Sequence, residues 1–440
     1  MLKTKLLSII SLKKNQFILQ SINTMALRLF GIIVLFGFTL FLTHNYDPVI
    51  IGQYDFIRTY LLVIGSICII GTDQSILYFT GILKSKGELG KLKNIYKKML
   101  MLIFMMSVIL FTLFLLVGEY TISTFFNDKH IFPMLLKATS ILFFYSVTFF
   151  NTEVFRALES VYVAELFRNT FKFISVIIGS IILFKLHEES YLVDAFLVGF
   201  VVLSIISTIM IFKLLKKEIY FNKINTREDS FSTTYILKKS YPMATSTLAI
   251  FLLMSFDVIF LKKYKGSATI AFYAIAIKLM TILLMIMNSV TITVSTKISE
   301  YFTSGNINAL KKTMRHSARL IFSISMPIAL IVCFFADNIL GFFGRNYIEA
   351  KAALIILMVG QGICSFFGAV QVYLNMTGRQ NIFQTILILT VFINFILNSV
   401  LVPEYGMVGG AISYTVSMFL WNMVAAIIIY RKDKIAVFLT

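Results

Sequence analysis

Seven basic residues fall within or at the edge of long apolar stretches: Arg28, Arg58, Lys137, Arg168, Lys172, Lys278 and Lys351. A charge held at mid-bilayer costs at least about 2.5 to 3.5 kcal/mol, so such a residue faces a polar interior, finds a partner or snorkels out. Depth sorts them. At about 1.5 Å per helical residue, Arg28 is roughly 16 Å in from Phe17, where its apolar stretch begins, and Lys278 is roughly 15 Å in from Ala268. Both are near the midplane. Arg58, Lys137 and Lys351 lie close enough to stretch ends to snorkel, which is the reading adopted for Lys137 and Lys351. Fixed guanidinium and ammonium groups at such depth suit a diphosphate or an acidic sugar.

Spacing groups some of these residues. Glu165, Arg168, Lys172, Ser175 and Gly179 recur every three or four positions, and Lys278, Thr281, Asn288, Thr291 and Ser295 follow at spacings of 3, 7, 3 and 4. Each set forms one stripe of a helix. Such stripes are expected to line a wet cavity. The competing reading is that Glu165 and Arg168 form an i, i+3 pair that only fixes packing. Lys172 has no acid three or four positions before it, which favours the cavity. Among embedded acids, Asp73 is a candidate for binding a coupling proton or cation, with a packing hydrogen bond as the alternative. Asp257 is expected to pair at the interface with Lys262 or Lys263. Pro327 marks an expected kink.

The elements that position these groups are apolar helices. The 440 residues are 58% hydrophobic, 15% aromatic and 14% charged, with a mean hydropathy of +0.86. An ordinary soluble domain is roughly one-quarter charged. About 20 apolar residues cross a hydrocarbon core of about 30 Å. Twelve such runs are read here: 17–42, 57–83, 99–117, 131–151, 161–184, 191–215, 240–261, 268–293, 318–335, 352–373, 382–401 and 407–430. The fold class is therefore all-α, a polytopic membrane protein. Its two six-helix halves are expected at 1–220 and 221–440. The first run is too long for a signal-peptide core and lacks a small-residue cleavage site, so it is read as a retained span.

One alternating set of connections carries 27 Lys and Arg, and the other carries only Lys129, Lys185, Lys262, Lys263, Lys265 and Arg345. The richer side is expected to be cytoplasmic, with both termini and the linker around Asn225 on that side. Topology and anionic inner-leaflet lipid account for much of the net charge of +19, so no nucleic-acid partner is needed. Cys68, Cys333 and Cys364 sit singly in apolar stretches, and His44, His130, His187 and His316 are scattered without metal-ligand spacing. No metal site and no cofactor are expected.

A faint internal repeat links the halves. The stretch PVIIGQYDFIRT from Pro48 lies over SATIAFYAIAIK from Ser267, placing Tyr54 on Tyr273 and a basic residue, Arg58 or Lys278, soon after. With six spans per half, the halves share one topology about an axis along the membrane normal, as in transporters.

Several stretches together resemble the Wzx-type polysaccharide flippases, which share a superfamily with lipid II flippases and multidrug and toxin extruders. They are GQY at Gly52 to Tyr54, SYPMATSTLAIFLLMSFDVIFLKKY from Ser240 with AFYAIAIKL following, LGFFGRNYIEAKAAL, NMTGRQN, and VPEYGMVGGAIS from Val402. The resemblance covers nearly the whole chain. It implies a MATE-like, two-lobed bundle of the bacterial inner membrane that alternates access and turns an undecaprenyl-diphosphate-linked oligosaccharide from the inner to the outer leaflet. It implies a central cationic cavity, whose positions in the first, second and eighth spans are filled here by Arg28, Arg58 and Lys278.

The two extra spans of lipid II flippases are not seen after the twelfth, which points toward O-antigen or capsule repeat units. Expected partners are the lipid-linked glycan, membrane lipids, and polysaccharide polymerase and chain-length proteins. Two other functions compete. A cation-coupled drug antiporter would want carboxylates in its cavity, whereas the deep stripes are net basic. A polymerase or glycosyltransferase would carry a large outer loop, whereas the outer connections here are short. The chain is read as a transporter and not an enzyme.

Overall fold

The computed structural model describes residues 2–222 and 231–435, with side chains described over 23–216 and 231–435. The linker expected around Asn225 lies outside the described residues, and the expected lobe boundary at 220/221 lies beside it, where side chains are not described. Among the described residues there is no strand. In hydrocarbon, only the helix satisfies every backbone group within a single segment.

Among the described residues, nine helices are long and apolar enough to cross a membrane, or twelve when three bent pairs each count as one span. The first is Asn23–Asn45, the end of a helix that runs from Leu2. The second is bent by 42° between Pro48–Ile69 and Thr72–Ser85. The third runs from Leu92 to a break at Gly118, where φ is 76°. The fourth bends by 48° between Ile131–Ser140 and Leu142–Ala157. The fifth comprises Val161–Leu166, a wide turn Phe167–Phe171 of π type, and Lys172–Leu186. The sixth is Leu192–Asn222. The seventh bends by 44° between Thr233–Leu253 and Phe256–Tyr264, and the eighth is Ser267–Thr303. Ile307–Phe334, Arg345–Phe367, Gln380–Tyr405 and Met407–Asp433 complete the twelve.

The second span starts nine residues earlier than the hydropathy pattern indicates. Asp47 accepts the Val49 backbone N–H at 2.7 Å and Pro48 occupies the first turn, a pairing that opens helices well. Arg58 is therefore about three turns inside a helix, deeper than the hydropathy pattern places it.

By packing, the chain forms two units. One comprises Met1–Asn45, Ile64–Gly118 and Pro133–Ala244; the other comprises Tyr46–Val63, Glu119–Phe132 and Thr245–Thr440. The first unit is held by aromatic packing and small polar bridges. Tyr96 stacks on Phe150 with centroids 5.6 Å apart and donates to Asn151 at 2.9 Å, and Asn151 donates to Ser207 at 2.9 Å. Between membrane helices such bonds contribute modestly but fix which faces meet. The second unit has a core around Phe367, Tyr373, Leu387, Trp421 and Ile429.

Two close approaches set where functional side chains stand. In the first unit, a methyl group on Gly31 would lie 2.7 Å from the Asn169 Cβ and 2.8 Å from its carbonyl oxygen, so only glycine lets the first and fifth spans cross here. In the second unit, a methyl on Gly52 would overlap the Ser267 carbonyl. The starts of the second and eighth spans thus touch backbone to backbone.

Candidate functional site: two sets of intramembrane cations

In the first unit, Arg28 presents a guanidinium fork to Glu165, with Nη2 2.7 Å from Oε1 and Nε 3.1 Å from Oε2. Asn169, one turn on, donates to Glu165 Oε2 at 2.8 Å. Glu165 is 7% exposed and Arg28 30%, so the acid is sealed while one edge of the cation stays accessible. Arg168 pairs with Glu153 on the fourth span, and Arg156 is 3.6 Å from the same carboxylate. The proposed i, i+3 pair of Glu165 with Arg168 is therefore not what holds this region. Lys172 lies half-buried with its ammonium 5.0 Å from the centre of the Phe173 ring, a cation–π distance.

The stripe expected along the fifth span is broken. The π turn at Phe167–Phe171 adds a residue to one turn, which rotates everything after it relative to Glu165. Ser175 then packs against Gly199 and Gly179 against Ala195, both on the sixth span. These two line an apolar groove of about 720 Å³ with Ile174, Ile178 and Val198, not a wet wall. On the eighth span, Thr281, Thr291 and Ser295 donate to carbonyls of their own helix. That habit of Ser and Thr in helices leaves Asn288 as the exposed amide of the stripe.

In the second unit, Arg58 and Lys278 meet on one carboxylate. Lys278 Nζ donates to Asp55 Oδ2 at 3.0 Å and Arg58 Nη2 lies 3.2 Å from Asp55 Oδ1. Asp55 is 2% exposed, Lys278 5% and Arg58 33%. Asp55 comes one turn before Arg58, and the Gly52 contact with Ser267 brings its helix close enough for Lys278 to reach it. The sequence reading missed Asp55 because its residues were taken for a connection, and missed Glu153 because the fourth span was ended two residues before it.

The remaining acids also differ from expectation. Asp257 does not pair with Lys262 or Lys263. It is 2% exposed, at the start of the second half of the bent seventh span, and accepts from the Tyr273 hydroxyl at 2.7 Å and the Val258 N–H at 2.8 Å. Lys262 instead binds Asp128 Oδ2 at 2.8 Å and Ser267 Oγ at 2.7 Å. Asp128 lies in the connection after the third span. Its partial burial alone would raise its carboxyl, but the Lys262 ammonium and the His130 N–H outweigh that and hold it below the ordinary value. Asp73 stands in the first turn after the bend in the second span, half-buried, accepting from Gln74 Nε2 at 3.2 Å. Among the described residues, no Lys or Arg pairs with Asp73 or Asp257, and no group of His, Cys, Asp and Glu has the arrangement to hold a metal ion.

Comparisons with known proteins follow the same lines. A sequence profile described as "Polysaccharide biosynthesis protein" matches residues 70–296, and one described as MatE matches residues 242–400. Two uncharacterized membrane proteins of Methanocaldococcus jannaschii are related. One is 30% identical over 115 residues, 25% of this chain and 23% of its own; the other is 26% identical over 248 residues, 54% of this chain and 57% of its own. The chain thus spans about a quarter and just over half of those relatives.

Among solved structures, a lipid II flippase, MurJ, in an inward closed conformation superposes with a TM-score of 0.66 at 14% identity, covering 94% of this chain and 89% of that one. An inward-facing multidrug resistance MATE family transporter gives 0.66 at 14%, covering 95% and 98%. A Pyrococcus furiosus transporter, reported to have a binding pocket of reverse polarity, gives 0.62 at 15%, covering 94% and 93%. The expected all-α, MATE-like membrane fold is shown by these likenesses.

Proposed function

Because the chain belongs to the polysaccharide biosynthesis protein family, we propose that it is a flippase. Its cargo would be undecaprenyl-diphosphate-linked oligosaccharide repeat units of the O-antigen or capsule kind, moved across the bacterial inner membrane by alternating access. The observation that carries this reading is the set of cations held inside apolar spans, above all Arg58 and Lys278 gathered on Asp55. A diphosphate offers the oxygens that a guanidinium fork and an ammonium recognise. Arg28, Arg168 and Lys172 in the first unit are proposed as further substrate-binding cations, and Asp73 to take part in coupling. Both termini are proposed to be cytoplasmic, and membrane lipids, polymerase and chain-length proteins are the proposed partners.

The second reading is a cation-coupled drug antiporter of the same fold. It is favoured by the MatE match over residues 242–400 and by Asp257 lying buried without a cation. An enzyme is set aside because the proteins sharing the fold are a flippase and multidrug transporters.

Complementation of a flippase-deficient bacterial strain tests the choice. The flippase reading expects surface polysaccharide to return with the wild-type chain and to be lost with Arg58→Gln or Lys278→Gln at equal membrane levels. Restored polysaccharide in both variants would remove the cation-based argument. Resistance to cationic drugs without restored polysaccharide would favour the antiporter.

A further inference from the structure

Asp55 is an odd neighbour for residues meant to hold an anion. It is the acid bonded to Lys278, it is within ion-pair distance of Arg58, and it is itself all but sealed from solvent. A carboxylate that only offset a buried lysine would need one cation beside it. Here one carboxylate is shared by two cations, of which Arg58 is the more exposed at 33%. An incoming phosphate oxygen would therefore meet Arg58 first and would reach Lys278 only by taking the position that Asp55 Oδ2 holds.

We propose that Asp55 is a built-in competitor for the diphosphate of a lipid headgroup. It occupies the two cations when the headgroup is absent and is exchanged for it on binding, which keeps that binding weak enough for release. This rests on the flippase reading and assigns a positioning residue to the same site. The reasoning is that of any conducting site: a cation pair with no internal counter-charge holds a divalent anion too well to let it go. Removal of one carboxylate from beside two buried cations strengthens their field on any other anion, since little solvent is present to screen it. Asp55→Asn keeps the shape and a hydrogen-bond acceptor while removing the competing charge. It should bind diphosphate more tightly and move it more slowly, a split between affinity and turnover that a merely structural acid would not produce.

The experiment uses the purified full-length protein in lipid nanodiscs, titrated with inorganic pyrophosphate and with farnesyl diphosphate, and flipping measured in vesicles. The expected result is pyrophosphate binding at least 10-fold tighter in Asp55→Asn than in wild type, displacement of pyrophosphate by farnesyl diphosphate, and slower flipping by the variant. Wild-type binding that Asp55→Asn leaves unchanged or weakens overturns the proposal alone. Failure of farnesyl diphosphate to displace pyrophosphate overturns the assignment to a lipid headgroup. A wild type that binds neither probe overturns this proposal and the flippase reading together. Should Asp55→Asn yield no folded protein, infrared difference spectra of wild type carrying 13C-aspartate replace it. A carboxylate band that shifts on adding pyrophosphate, and that leaves the aspartate set in Asp55→Glu, supports the exchange; an unshifted spectrum at saturating pyrophosphate overturns it.

Discussion

Replacing Arg28 with Gln removes both bonds to Glu165, of 2.7 and 3.1 Å, and leaves a carboxylate that is 7% exposed with Asn169 as its remaining donor. Breaking a fully buried pair costs about 3 to 5 kcal/mol. An ordinary hydrogen bond between membrane helices is worth about 0.6 kcal/mol. Arg28 keeps 30% exposure, so the expected loss is intermediate, about 2 kcal/mol, or about 30-fold in the folding equilibrium.

Neutralising the acid as well removes the uncompensated charge, so Arg28→Gln with Glu165→Gln should regain most of that stability. Function should not follow stability. If Arg28 handles the headgroup, flipping stays impaired in the stable double variant. The assay is a double-mutant cycle of unfolding in mixed micelles, run beside lipid flipping in vesicles. A coupling energy below about 0.3 kcal/mol would refute the energetic role of the pair. A stable double variant with full flipping would refute Arg28 as a headgroup contact and leave it as packing.

Gly31→Ala and Gly52→Ala should each cost about 1 to 3 kcal/mol, because the added methyl meets backbone that cannot move aside; thermal scans of detergent-solubilised protein at normal stability in either variant would contradict the crossings. The lowered carboxyl of Asp128 contributes stability above the ordinary carboxylate range and loses it as pH falls through its own lower value. Asp128→Asn should therefore melt below wild type at pH 7, and the gap should close as pH falls through the lowered value of the Asp128 carboxyl. Single-cysteine labelling at both termini and at Asn225 should occur only from the cytoplasmic side, and outer-face labelling of Asn225 in intact cells would overturn the orientation. A diphosphate leaving a negative-inside cell with roughly two charges gains about 4 to 5 kcal/mol per 100 mV. Flipping should then follow an imposed potential without a proton or sodium gradient. If it follows a gradient instead, loss of that dependence in Asp73→Asn would give Asp73 the coupling role.

Apolar run length alone located every span, because the requirement behind it, hydrocarbon with no water for the backbone, is local to each helix. The start of the second span escaped that test. Gly52, Gln53, Tyr54 and Asp55 read as a polar connection, yet Tyr54 and Asp55 are buried, with Asp55 Oδ2 bonded to a residue 223 positions away. The cations Arg28 and Lys278 stood out by depth, and Arg58 by its place in the repeat beside Lys278. Their partners did not, since Arg28 to Glu165 spans 137 positions and no periodicity records such a pairing. The fifth-span stripe failed for a different reason. A helical wheel assumes a constant turn, and one π turn at Phe167–Phe171 was enough to send Ser175 and Gly179 to the sixth span.

The central claim is that cations within the spans pass a diphosphate-linked glycan through the membrane. Its most direct test is purified protein in vesicles loaded with fluorescent undecaprenyl-diphosphate-linked oligosaccharide, with leaflet exchange followed by access of an external quencher. The account predicts exchange well above protein-free vesicles, competed by farnesyl diphosphate and lost in Lys278→Gln. Exchange no faster than in empty vesicles, or undiminished in Lys278→Gln, would contradict it.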